Sequence, residues 1–234
     1  MSEPTGGPQA ARYDRISLAY DLLADPAEHS ARDRGLALLN ATPGERVLEI
    51  GAGTGRALLE LAEKAGRSGL ACGLDTSAGM LRLARQKLSS HEGRAHLQRG
   101  DARSLPYRAA SFDAAFVSFT LELFEATDIE RVLSELKRVL HPQGRLAIVC
   151  LSVDPEPGFA TQAYAWLHRQ FPHLIDCRPI DVLSHLERNG FRPTSLERMS
   201  LWSLPVTALC AEPVASPRLR GRTGESSSDW PASL

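Results

Sequence analysis

Between about Arg46 and Val153, short continuous apolar runs alternate with longer stretches in which apolar residues recur every three or four positions. The first pattern suits strands buried on both faces and the second suits amphipathic helices, so their alternation predicts βαβ units and a parallel sheet. Val47–Ile50 is the first strand. A helix follows from Arg56 to Ala65, with Leu58, Leu59, Ala62 and Ala65 on one face and Gly66 at its end. Leu70–Leu74 is the second strand. Thr76 and Ser77 then offer cap hydroxyls to a helix reaching about Leu88, with Met80, Leu81, Ala84 and Leu88 at helical spacing. Ala95–Arg99 reads as a polar third strand at or near an edge, and Asp113–Phe119 as the fourth. Asp128 opens a helix carrying Ile129, Val132, Leu133, Leu136, Val139 and Leu140; His141–Gly144 reads as a turn and Leu146–Leu151 as the fifth strand.

Beyond the rigid breaker Asp154-Pro155-Glu156-Pro157-Gly158 the pattern predicts helices at Phe159–Phe171 and Ile180–Asn189, the latter closed by Gly190. Two further strands, Pro193–Arg198 and Leu201–Cys210, are close enough to pair as a hairpin. The expected fold is α/β: a Rossmann-like, doubly wound sheet of about seven strands with the last one antiparallel. Tyr13–Asn40 reads as one or two helices preceding the sheet. The expected organisation is a flexible N-terminus over 1–12, one domain over 13–212, and a Pro/Ser/Arg-rich tail over 213–234 that is expected to be disordered.

The 234 residues carry a net formal charge of −1, which gives no electrostatic case for a nucleic-acid partner. No apolar run approaches the roughly 18 residues of a membrane span, and Met1–Gln9 has no apolar core of a secretory signal. Cys72, Cys150, Cys177 and Cys210 are far apart, without a C-x-x-C pair, so neither a metal site nor a disulfide framework is expected and a reducing cytoplasm is the default.

The chemistry concentrates in Val47-Leu48-Glu49-Ile50-Gly51-Ala52-Gly53-Thr54-Gly55, followed by Gly73-Leu74-Asp75. A strand runs into three alternating glycines, which let the backbone turn sharply and approach a ligand. An acid at the end of the second strand stands where a carboxylate accepts ribose hydroxyls. A dinucleotide site wants G-x-G-x-x-G, but the residue after Gly55 is Arg56, and no P-loop Gly-Lys-Ser/Thr string exists. A ligand-free strand-to-helix turn is the competing reading of the glycines.

Glu-x-Gly-x-Gly-x-Gly resembles the first motif of class I S-adenosylmethionine methyltransferases. Gly100-Asp101-Ala102 with Ser111-Phe112-Asp113 resembles that family's third region, and Leu136–Leu146 its L-x-x-V-L-K-P-G-G-x-L string, with Gln143 for the first glycine. The resemblance spans about Tyr13 to Cys210. It implies S-adenosylmethionine as cofactor, with contacts at Glu49, Gly51, Gly53, Gly55, Asp75, Thr76, Met80, Asp101, Ala102 and Ser118. Tyr13-Asp14 and Tyr20-Asp21 are similar to the opening of the ubiquinone/menaquinone C-methyltransferase-like group, whereas Ser118–Phe124 and Trp166–Ile180 depart from it.

Two function classes follow: a methyltransferase acting on a small aromatic, quinone-like or lipid-like acceptor, and a cofactor-binding module without turnover. Positioning is the main catalytic demand, and a general base is needed only for an acceptor that arrives protonated. Tyr20, Glu122, His168, His173, Asp176 and Arg178 are the polar residues that could serve as a base, with Tyr20, His168, His173 and Arg178 as the catalytic candidates. Tyr164, with Phe119 and Phe124 beneath, joins the last three in a proposed acceptor site. Each has a plainer reading: solvated histidines, a packed tyrosine, an Asp176–Arg178 surface pair, and Glu122 as a helix cap or a solvent-exposed acid.

Overall fold

In the computed structural model, residues 26–91, 93–153, 178–201 and 204–214 are described. Their principal elements are α1 (Pro26–Leu39), β1 (Arg46–Ile50), α2 (Arg56–Ala65), β2 (Leu70–Asp75), α3 (Ala78–Lys87), β3 (Ala95–Arg99), β4 (Phe112–Ser118), α4 (Ala126–Val139), β5 (Leu140–Leu151), α5 (Val182–Arg188), β6 (Phe191–Leu201) and β7 (Leu204–Pro213). The strands form one seven-stranded sheet in the order β3-β2-β1-β4-β5-β7-β6. The pairs from β3 to β5 are parallel, and β7 runs antiparallel to both its neighbours. The expected doubly wound sheet with an antiparallel last strand is what the chain forms. The helix expected at Phe159–Phe171, the chain before Pro26, Cys177 and the tail beyond Val214 lie outside the described residues.

Alternation along the strands divides the core into two layers. Leu48, Ile50, Ala115 and Val117 pack with Ile129, Leu133 and Leu136 of α4 and Val182 and Leu186 of α5. Val47, Ala114 and Phe116 pack on the opposite side with Leu36 and Leu39 of α1 and Leu58 and Leu61 of α2. Glu49 shares the second face with Val47 by the period of two. That parity aims a carboxyl at the α1 layer instead of at water. Cys72, Cys150 and Cys210 are buried in their strands; burial pushes the Cys72 thiol up to about 11, as for inert packed thiols.

Helix α1 is held close to the sheet at three places. Gly35 meets β4 and β5 where a Cβ would collide with Val149 and come within 3.0 Å of Phe116. Arg145 on β5 donates to the Leu39 and Asn40 carbonyls and pairs with Glu45 at 2.8 Å. Arg34 forks onto Glu197 of β6. The C-terminal end of α1 is thereby tied near the start of β5, and its N-terminal half points toward the carboxyl ends of the strands.

Several local expectations need correction. Leu59 is only half-buried; Ala57 and Leu61 complete the buried face of α2. The fourth helix begins at Ala126, two residues before Asp128, behind a Glu125 cap. His141–Gly144 is not a separate turn but an excursion within β5: the four residues between Leu140 and Arg145 stand opposite the single Asp113 between Phe112 and Ala114 on β4. Pro142 cannot donate to the ladder, and Gly144 fits because a Cβ there would come within 2.8 Å of the Asp113 carbonyl. Leu201 ends β6 instead of opening the last strand.

Candidate active site

The carboxyl ends of the parallel strands gather the sequence-predicted residues. After β1 the chain passes through Gly51, Gly53 and Gly55, all at positive φ (71°, 51° and 78°). A side chain at any of them is strained. At Gly51 it also has no room, because a Cβ would run into the Thr120 hydroxyl. The Gly51 and Ala52 N–H groups both donate to the Leu74 carbonyl, at 2.8 and 3.1 Å, which pins the loop to the end of β2. Asp75 completes the link. Its Oδ2 accepts the Gly53 N–H at 2.8 Å and its Oδ1 accepts the Ser77 N–H at 2.8 Å. A carboxylate accepts at both oxygens, so these two bonds fix its orientation against the loop.

Ser77 is the cap of α3, its hydroxyl accepting the Met80 N–H at 3.1 Å. Both Ser77 and Met80 are buried, while Thr76 is half-buried and its carbonyl receives Arg99 Nε at 3.0 Å. Ala102 is buried beside the half-exposed Asp101. Asp101 is not a free carboxylate: Arg103 donates to it from its main chain and its guanidinium, which holds the carboxyl below the usual range. At the end of β4, Phe119 adopts a left-handed φ of 47°, a strained conformation for a bulky residue and a frequent mark of a ligand site. The turn is closed by the Thr120 hydroxyl donating to the Ser118 carbonyl at 2.8 Å.

Unsatisfied buried groups collect at the same end of the sheet. Arg32 Nη2, Glu49 Oε2, Ser118 Oγ and Glu122 Oε2 are buried polar atoms with no hydrogen-bond partner. Such atoms are rare and mark strain or a missing ligand. Burial raises the Glu49 carboxyl well above the carboxylate range, with Asp75 adding to the shift and Arg32 opposing it. Arg32 in turn is lowered by burial and by Arg56. A guanidinium and a carboxyl that each leave a buried atom without a partner are complementary to a zwitterionic amino-acid head group. Arg32 carried no signal in the sequence, since it lies in an ordinary polar stretch of α1.

Glu122 is likewise misjudged from sequence. It is neither cap nor solvated acid but fully buried, its Oε1 accepting the Leu151 N–H at 3.1 Å. Beta-strand pairing with β4 stops at Phe119, so the carboxyl replaces a strand carbonyl. Burial lifts it to about 7. Its position between Leu121 and Leu123, in an otherwise apolar run, was the available clue.

Arg178 is bound to this same turn and does not project as a free cation. Its N–H donates to the Glu122 carbonyl at 3.3 Å, its Nη2 to the Phe124 carbonyl at 3.0 Å, and its Nη1 pairs with Glu125 at 3.0 Å. Phe119 and Phe124 are half-buried in the two core layers. Tyr20, Tyr164, His168, His173 and Asp176 lie outside the described residues. Among the described residues no three His, Cys, Asp or Glu side chains converge as a metal site, and no helix is long and apolar enough to cross a membrane.

Comparison with known proteins gives consistent matches. A family model described as "Methyltransferase domain" matches residues 47–144. The chain is 30% identical over 196 residues to a demethylmenaquinone methyltransferase of Lactobacillus johnsonii, covering 81% of this chain and 78% of that protein. It is 34% identical over 145 residues to a 2-phytyl-1,4-naphtoquinone methyltransferase of Trichormus variabilis, covering 59% and 62% respectively. A crystal structure of a SAM-dependent methyltransferase from Aquifex aeolicus superposes with a TM-score of 0.63 at 19% identity, covering 84% of this chain and 98% of that one, a likeness of fold.

Proposed function

The chain belongs to the class I S-adenosylmethionine-dependent methyltransferases of the quinone methyltransferase group, and on that footing we propose that it methylates a ring carbon of a reduced, quinone-like acceptor. It is an enzyme, and its cofactor is S-adenosylmethionine. The observation that carries the assignment of the site is the pair of buried, partnerless atoms Arg32 Nη2 and Glu49 Oε2 beside the three-glycine loop. They fit the carboxylate and the ammonium of a methionyl head group. Asp75 would accept the ribose hydroxyls, and Asp101 the adenine amine. Gly51, Gly53 and Gly55 keep the loop low enough for close approach, while Thr76, Met80, Ala102 and Ser118 line the same cleft. Bound there, S-adenosylmethionine supplies an electrophilic methyl group.

What remains for the protein is alignment and removal of one proton, because a ring carbon that gains a methyl loses its hydrogen. We assign proton acceptance to Glu122 Oε2, a carboxyl buried at the end of β4 and raised to about 7, near the pH at which a general base works best. A quinone-like acceptor is supported by the names of the relatives. Quinones are apolar, and Glu122 lies beside the end of β5, near the Ser152–Ile180 bridge, at the end of the sheet proposed to meet the acceptor. His168, His173 and Tyr20 stay candidates for polar contacts to it. We further infer a cytoplasmic location.

The test is methyl transfer from labelled cofactor to a panel of reduced naphthoquinones, benzoquinols, simple phenols and amines. Transfer to a quinol carbon is expected. Cofactor binding with transfer only to nitrogen or to phenolic oxygen would overturn the acceptor assignment.

A further inference from the structure

Asp101 is expected to receive the adenine amine, yet Arg103 already fills it. Oδ1 accepts the Arg103 backbone N–H at 2.9 Å and Nε at 3.0 Å; Oδ2 accepts Nε at 3.0 Å and Nη2 at 2.6 Å. Those contacts use the four or so lone-pair sites of a carboxylate. An exocyclic amine only donates, so it has no acceptor at Asp101 until the guanidinium withdraws. The remaining terminal nitrogen, Nη1, is held by Asp128 of α4 at 2.8 Å, which gives the arginine a second anchor on the rim of the cleft.

We propose that Arg103 is a displaceable occupant of the adenine position: cofactor binding exchanges its guanidinium for the adenine amine at Asp101, while Asp128 retains the arginine. This rests on the reading of Asp101 as the adenine acceptor. The exchange is cheap for two physical reasons. The pair is exposed, with side-chain accessibilities of 44% for Arg103 and 35% for Asp101, and exposed ion pairs are weak. The backbone N–H of Arg103 also remains on Oδ1, so the carboxylate keeps its orientation after the guanidinium leaves. Arg103 therefore lowers the affinity for every ligand that carries an adenine amine, and it sets how strongly that affinity depends on salt.

The experiment is calorimetric titration of the full chain with S-adenosylhomocysteine, in wild type, Asp101→Ala, Arg103→Ala and Arg103→Gln, at low and high sodium chloride. Both Arg103 variants should bind about two- to fivefold tighter at low salt, the range an exposed ion pair allows. Raising the salt should tighten the wild type relative to the variants and close the gap. A merely structural arginine would give the opposite sign, because losing it would loosen the site. Arg103 variants that bind equally or more weakly, with Asp101→Ala impaired, overturn the exchange and leave the cofactor site standing. An unimpaired Asp101→Ala removes the adenine assignment and the proposal with it. Thermal melts confirm that each variant is folded, and the glutamine variant serves if alanine is not.

Discussion

Asp75 at the end of β2 bonds to Gly53 in the loop after β1: its Oδ2 accepts the Gly53 N–H at 2.8 Å, while its Oδ1 is fixed by the Ser77 N–H. One carboxylate therefore shapes the glycine loop and starts α3 at the edge of the cleft between them. Both bonds are charge-assisted, which makes them shorter and stronger than neutral ones.

Asp75→Ala should weaken S-adenosylmethionine at least about tenfold and lower stability by about 1–3 kcal/mol, since two N–H groups lose a charged acceptor. Calorimetry and denaturant unfolding read the two effects. Asp75→Asn should fall between, because one amide group cannot accept at both ends. Unchanged affinity in the alanine variant would remove the ribose assignment.

Gly51→Ala should be the most damaging single methyl in the loop. It combines a φ of 71° with a collision at Thr120, and we expect a loss of about 2 kcal/mol or more. Thr120→Gly in the same chain should restore part of it, by removing the collision but not the strain. Urea midpoints of the single and double variants test this, and equal midpoints would mean the loop moves aside.

Arg32→Met should raise the KM for S-adenosylmethionine about tenfold or more, the worth of a lost charged hydrogen bond. Decarboxylated S-adenosylmethionine lacks the carboxylate that Arg32 is proposed to hold, and its binding should change little. If both ligands lose affinity equally, Arg32 supports Glu49 and not the cofactor.

Glu122 gives a pH dependence of defined sign. Its carboxyl is raised from 4.5 to about 7 on folding, so between those values the native state binds more protons than the unfolded chain. Its contribution is complete below pH 4.5 and is lost as pH rises toward 7. Glu122→Gln should flatten the fall in stability over that window and gain about 1–3 kcal/mol at pH 8. Glu49 has a shift of the same sign, so a residual slope is expected. Turnover of the variant should drop about a hundredfold if Glu122 takes the acceptor's proton; denaturant curves across pH and rate profiles separate the two roles.

Much of the frame follows from the chain's own order. Continuous apolar runs such as Leu146–Leu151 can only be doubly buried strands, and helices such as Arg56–Ala65 follow from a period of 3.6, so the sheet and its antiparallel last strand are legible. The glycine loop, Asp75 and Asp101 are legible too, because backbone strain and strand-end position are local properties. The exceptions to local reading come from strand pairing and packing that a local pattern does not record. The His141–Gly144 excursion looks like a turn until β4 pairs on both sides of it, and Leu59 loses its place to Leu61, which packs with Leu58 and Ala62 on the buried face of α2. What the tertiary structure alone decided is which polar groups lose water. Arg32 is buried within the electrostatic reach of Glu49 because Gly35, Arg145 and Arg34 draw α1 onto the sheet. Glu122 becomes a buried acid because β4 turns away at Phe119 and leaves the Leu151 N–H to be satisfied. Arg103 also has a partner that is distant in sequence, Asp128 of α4, which takes its remaining terminal nitrogen. Desolvation and partner choice depend on residues distant in sequence, and no periodicity records them.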